Sequence, residues 1–410
     1  MAIPDSKSRL AFYLPALASG GMERVTLLLA QALADRGYAV DIVLEHRRGG
    51  YLDRVPDGVT LVVLEKGPKV PPYARLIGRW PREGFAQLMR LFGRKDCYIP
   101  LRRLLCLADY IERQRPCVVF AAHGRIPFLA LWAARIAAVN TKVVVIEHST
   151  FSRWLDVFRD DPRTHAVLSY RRVLMHRLYP QADAVVGVSD GVADDLAAVA
   201  GIDRRLITTI YNPVVGAELA HRAAESPGHD WLRDDGPPVI LAVGRLVEEK
   251  GFIWLIEAFA TLRADGVAAR LLILGEGPQR DELADRAAAL GVCADVAMPG
   301  WVDNPYACMA RAGVFVLSSM FEGLPVAPIE ALACGCPVVA FDCPSGPREI
   351  LADGRFGTLV PVGDTDGLAA AIGATLAHQP ATEQLIERGA WFSVDRAADA
   401  YQQLIRRVCR

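Results

Sequence analysis

The chain is predicted to fold as two Rossmann-like α/β domains, each a doubly wound parallel sheet, facing one cleft. Three observations predict it. Short apolar runs of strand length alternate with helical stretches along nearly the whole chain, the pattern of a parallel sheet covered on both faces. The alternation is interrupted once, between Val214 and Pro238, by a polar segment rich in Asp, Gly and Pro, and then starts again. Glycine-containing loops follow the first strand of each series, where open α/β sheets bind ligands.

The elements follow in order. Leu10–Leu14 reads as a strand, and Gly20-Gly21 opens a helix that runs past Gln31. Gly37 ends that helix and leads into a second strand reaching Leu44. Further strands are expected at 118–121, 142–146, 184–188 and 206–210. After the break they are expected at 239–243, 270–274, 296–298, 314–317, 338–341 and 358–361. The amphipathic segment from Trp391 to Arg410 reads as a closing helix. This gives a first domain over 1–212, a linker over 213–238, a second domain over 239–390 and a terminal helix over 391–410 that packs back on the first domain.

A length of 410 residues allows two domains with their own cores. A net charge of −1 gives no global attraction to nucleic acid. No apolar run is long enough to span a membrane, and the first residues lack the apolar core of a secretory signal. The nine cysteines are odd in number and show no paired zinc spacing. Reduced thiols and a cytoplasmic location are therefore expected. Charge is uneven only over 66–115, where twelve Lys or Arg meet four acids, interleaved with Leu76, Trp80, Phe85 and Phe92. Such a stretch suits an anionic membrane face, a phosphate-bearing acceptor or, equally, a solvated helix face.

The chemistry concentrates at loop positions. Glu322 and Glu330 stand eight residues apart between two strand runs, with Pro325 and Pro328 in the first helical turn and Gly335 ending the helix. A carboxylate so near a helix N-terminus repels phosphate, so the pair points to the hydroxyls of a sugar or ribose. Arg245 and Lys250 flank the loop that begins at Gly244, and two cations there can neutralise a leaving diphosphate. Gly20 and Gly21 let backbone approach an anion at a helix N-terminus. Gly275-Glu276-Gly277 forms another strand-to-helix loop. His148 and His123 each follow a strand of the first domain and should point into the cleft.

Taken together, and in this order, these motifs resemble the retaining GT-B glycosyltransferases of family 4, over about residues 9–405. The resemblance implies that the Gly20–Gly21 loop closes over the donor's phosphate and sugar, and that Arg245 and Lys250 neutralise the diphosphate. It implies that Glu322 binds the transferred sugar and Glu330 the ribose, with Gly323, Leu324 and Pro325 bringing backbone close. Gly244 and Glu276 then line the nucleotide pocket, Trp301 borders the base, and His148 touches the donor sugar. His123, Asn212, Arg75 and Arg79 fall on the acceptor side. The segment from Asp342 to Glu349, with Ser345 and Gly346, resembles a subgroup that takes UDP-sugars.

The implied partners are a nucleotide-sugar donor and a glycan or lipid-linked acceptor of cell-surface polysaccharide or lipopolysaccharide synthesis, reached on the inner membrane face. No metal or other cofactor is expected; Asp364-Thr-Asp366 resembles a metal motif but stands where a helix N-cap should. A nucleotide-sugar epimerase of the same fold, or a non-catalytic sugar-nucleotide-binding module, are the alternatives. The phosphate-directed Arg245 and Lys250 argue against the module. Charge reversal at Arg75, Arg79, Arg90 and Arg94 is expected to abolish binding to anionic liposomes in a flotation assay; undiminished binding removes the membrane role of 66–115.

Overall fold

The computed structural model describes residues 8–18, 20–64, 101–233 and 236–410. Two compact units result: one runs to Tyr211 and resumes over Ala397–Arg410, and the other is Asn212–Arg396.

The first unit is a seven-stranded parallel sheet: β1 (Arg9–Leu14), β2 (Ala39–Leu44), β3 (Val59–Val63), β4 (Val118–Ala122), β5 (Lys142–Glu147), β6 (Ala184–Gly187) and β7 (Ile207–Thr209). Their order is β3-β2-β1-β4-β5-β6-β7. Its helices are α1 (Gly21–Asp35), α2 (Leu101–Gln114), α3 (Ile126–Ala137), α4 (Phe151–Val157), α5 (Pro162–Leu178) and α6 (Asp190–Ala200). Strands such as β4 and β5 are nearly continuous apolar runs because both faces are covered. The sequence reading missed β3. It is an edge strand whose residues are only half buried, so it lacks a strong apolar run. The Asp57-Gly58 turn before Val-Thr-Leu-Val-Val was the available signal.

The second unit has six parallel strands: β8 (Val239–Val243), β9 (Arg270–Leu274), β10 (Val296–Gly300), β11 (Val314–Leu317), β12 (Val338–Phe341) and β13 (Thr358–Val360). Their order is β10-β9-β8-β11-β12-β13. Its helices are α7 (Glu218–Ala224), α8 (Phe252–Ala264), α9 (Arg280–Ala289), α10 (Pro305–Met309), α11 (Val326–Ala333), α12 (Pro347–Ile350), α13 (Thr365–Ala377) and α14 (Thr382–Ala390). Asp364 caps α13, its carboxylate accepting from Gly367 N at 2.9 Å, the N-cap expected at this position.

Residues 213–238 are not a bare join. They carry α7 and belong to the second unit, where the amides of Val214 and Val215 both donate to Phe392 O and Arg222 bonds Asp303. These contacts override a composition that reads locally as loop. The last helix, α15 (Val394–Val408), starts in the second unit and continues in the first. There Tyr401 meets the edge of Phe120, with centroids 5.8 Å apart, and Phe120 stacks on Phe12 at 4.8 Å. The basic stretch splits: α2 buries Leu104, Leu107 and Ile111, while Arg75 and Arg79 lie outside the described residues.

Strand order reverses between β1 and β4 in one unit and between β8 and β11 in the other. These two switch points are where ligands are expected. At the second, α11 ends in a Schellman cap: Gly335 N donates to Leu332 O, and Cys336 N to Ala331 O. Gly335 has φ +78°, and a Cβ there would lie 2.5 Å from the Thr382 methyl. Gly335→Ala is therefore expected to lower stability by about 1–2 kcal/mol, read as a fall in denaturant midpoint at constant m-value; an unchanged midpoint would contradict the cap.

Candidate active site

In the second unit, four loops leave the carboxyl ends of β8, β9, β11 and β12 and are stitched to one another. Leu246 N donates to Glu276 O at 2.9 Å, and Gln279 N to Leu246 O at 3.1 Å, joining the first two. Met320 N donates to Glu249 O at 2.9 Å, and Ser318 Oγ to Lys250 O at 2.8 Å, joining the first and third. Ser345 Oγ donates to Gly323 O at 2.7 Å, joining the third and fourth. Glycine is required at this density. Gly275 has φ +143°, and a Cβ on it would sit 1.8 Å from Gly244 O; one on Gly277 would sit 2.3 Å from Leu246 O.

The switch point itself is bridged by charge. Lys250 Nζ donates to Glu322 Oε1 at 2.6 Å, and Ser319 Oγ donates to the same oxygen at 2.7 Å. Both ionic side chains are mostly buried. An ammonium has three N–H bonds, so Lys250 can hold Glu322 and an anionic oxygen together. The buried Cys343 thiol feels the pair: it is pushed far up by burial and then by Glu322, so it stays neutral. Arg245 is exposed and bonds Glu249 at 3.0 Å. A pair so open to water holds weakly, which leaves the guanidinium able to turn to a ligand.

Glu330 stands in α11, buried to 2% exposure. Gly323, Leu324 and Pro325 lie between it and Glu322, with Pro325 at the N-cap. Asn212 falls in this unit, where its amide donates to Leu324 O at 3.4 Å. Glu276 bonds Arg280, which also donates to Met298 O at 2.7 Å, and Trp301 stands just beyond Gly300, 54% exposed.

In the first unit, Gly20 is the extended N-cap of α1 and Gly21 its first residue, at the carboxyl end of β1. His123 follows β4 with φ +72°, in the left-handed region. His148 follows β5. Burial, and then the charge of neighbouring His123, holds its imidazole down to about 3. Each histidine loop has a buried carboxylate beside it. Arg125 donates to Glu45 at 2.5 Å, and Tyr13 OH donates to the other Glu45 oxygen at 2.8 Å. Glu147 receives Arg171 and Tyr179. Sequence reading singled out neither these carboxylates nor Ser319. A lone Glu ending an apolar strand was the visible signal for Glu147.

Two doubly wound units with ligand loops at their switch points are the architecture of the GT-B fold. Residues 229–391 match the family model described as Glycosyl transferases group 1, and residues 19–215 the one described as Glycosyltransferase Family 4. The chain is 29% identical over 360 residues, 88% of each chain, to the N-acetylgalactosamine-N,N'-diacetylbacillosaminyl-diphospho-undecaprenol 4-alpha-N-acetylgalactosaminyltransferase of Campylobacter jejuni. It is 40% identical over 173 residues, 41% of this chain and 49% of the relative, to the lipopolysaccharide core biosynthesis glycosyltransferase LpsE of Rhizobium meliloti. The crystal structure of Anabaena Alr3699/HepE in complex with UDP and glucose shares the fold, with a TM-score of 0.74 at 18% identity over 97% of this chain and 99% of that one. The chain belongs to the group 1 glycosyltransferases of the GT-B fold.

The low His148 value has a consequence for stability. Between pH 6.5 and about 3, the unfolded chain binds a proton at this imidazole that the folded chain does not, so stability falls as pH is lowered through that window. His148→Phe is expected to flatten that fall, measured as denaturant midpoint against pH; an unchanged slope would show that the imidazole titrates normally.

Proposed function

We propose that this chain is a retaining transferase that moves a hexose or N-acetylhexosamine from a UDP-sugar to a lipid-linked or glycan acceptor in cell-surface polysaccharide synthesis. The observation that carries the reading is the Lys250–Glu322 pair at the β8/β11 switch point: one cation and one hydroxyl acceptor set 2.6 Å apart. A nucleotide sugar presents a diphosphate and a polyol side by side. The names of two relatives support the substrate class, one acting on a diphospho-undecaprenol-linked saccharide and one in lipopolysaccharide core synthesis. The UDP and glucose in the Anabaena structure support the donor.

In this reading Glu330 takes the ribose hydroxyls, and Glu276 with Trp301 borders the base. Glu322 holds the sugar hydroxyls, with the backbone of Gly323 and Leu324 beside them. Arg245 and Lys250 hold the diphosphate. The acceptor oxygen attacks the anomeric carbon as the bond from that carbon to the phosphate oxygen breaks. The acceptor's proton passes to that departing oxygen, on the same face, so no carboxylate nucleophile is needed. Negative charge grows on the diphosphate, and Arg245 and Lys250 stabilise it. His148, kept neutral, lies against the sugar without adding a competing charge. The first unit, with His123, receives the acceptor, and 66–115 meets the cytoplasmic face of the membrane.

The test is binding and slow hydrolysis of a panel of UDP-, GDP- and ADP-sugars. One UDP-sugar is expected to be consumed. Arg245→Ala should lower kcat by about 100-fold, and Glu330→Ala should weaken donor binding by about tenfold. Failure of every nucleotide sugar to bind would overturn the reading.

A further inference from the structure

The loop that carries His148 is fastened at both ends by carboxylates. At its start, Glu147 closes β5 with 3% exposure, and Arg171 Nη2 of α5 donates to both of its oxygens at 3.2 Å. The hydroxyl of Tyr179 donates to Glu147 as well. At its end, Asp195 of α6 accepts from Phe151 N at 2.6 Å and from Ser152 N at 3.2 Å, the first amides of α4. Arg171 also lies over the Phe151 ring, 4.8 Å from its centroid, which ties the two fastenings together. Only His148, Ser149 and Thr150 lie between them, and Thr150 is itself buried.

A buried ion pair is seldom a net source of stability, because desolvating two charges offsets most of their attraction. An apolar cluster would hold β5 against α5 equally well. Charge and hydroxyl at this place do something an apolar cluster cannot: they fix backbone direction at one point. We propose that Glu147, Arg171, Tyr179 and Asp195 are positioning residues for His148, a two-ended clamp that sets its imidazole at the carboxyl edge of the sheet. This rests on the reading that His148 lies against the transferred sugar. None of the four touches substrate; they act through the loop.

Two measurements on the full chain test it. In transfer assays, Asp195→Ala should lower kcat by about 10- to 100-fold, the loss that a misplacement of about 1 Å brings, with KM for the nucleotide sugar near wild type. Asp195→Asn keeps a carbonyl acceptor for the two amides and should recover most of the loss. In the second measurement, diethyl pyrocarbonate labelling is read by peptide mass spectrometry. His148, half buried in the wild type, should label several-fold faster in Asp195→Ala, relative to exposed His123 in the same molecule. Tyr179→Phe removes one bond to Glu147 with little change of volume, so it carries the same labelling test should Asp195→Ala fail to fold. If the wild type transfers no sugar, the proposed function falls while the labelling ratio still decides the clamp. An unchanged ratio together with unchanged kcat, whatever the melting temperature, overturns it.

Discussion

The bond from Lys250 to Glu322 depends on a strand order that local sequence does not state. The two residues are 72 positions apart. They meet because β8 and β11 are neighbours at the point where the second sheet turns back on itself. Everything around the pair serves that meeting. The Leu246 and Gln279 amide bonds fix the β8 loop against β9, and the Met320 bond to Glu249 fixes the β11 loop against β8. Glycines at 275 and 277 permit the approach, since any side chain there would strike a carbonyl. Without such stitching, two opposite charges on flexible loops would each be solvated, and their attraction would be worth little.

The first unit solves a similar problem with different materials. Its ligand edge is built from histidines next to buried carboxylates: Glu45 with Tyr13 and Arg125, and Glu147 with Tyr179 and Arg171. In the second unit, Glu322 is paired with Lys250 across the switch point and is mostly buried as well. The contrast is between carboxylates bonded to Arg and Tyr and a carboxylate bonded to Lys and Ser.

Much of this was legible in the sequence, and the rest failed for identifiable reasons. Buried parallel strands advertise themselves because both faces are covered, so β4, β5, β8 and β9 read directly from apolar runs. β3 escaped because an edge strand is half wet. Residues 213–238 read as a join because Asp, Gly and Pro dominate locally, while contacts from Phe392 and Asp303, far along the chain, decide their structure. Glu322, Lys250 and Glu330 could be picked out as chemistry, yet Ser319 as a partner of Glu322 and Arg171 as a partner of Glu147 could not. Those pairings depend on three-dimensional registry, which spacing along one chain does not encode. Asn212 stands at a unit boundary, and its amide bond to Leu324 is a pairing of the same kind, with a residue far along the chain.

The path of α15 bears on how the protein is made. Residues 397–410 complete the first unit, yet they are synthesised after all of Asn212–Arg396. Until then Tyr401 does not exist to cover Phe120, so the nascent first sheet keeps an aromatic face open to water while the second unit emerges. Domains usually mature in the order of their synthesis. Here the later unit can close first, and the earlier one must wait for the final helix. Before that helix arrives, the first sheet lacks the ring that meets Phe120.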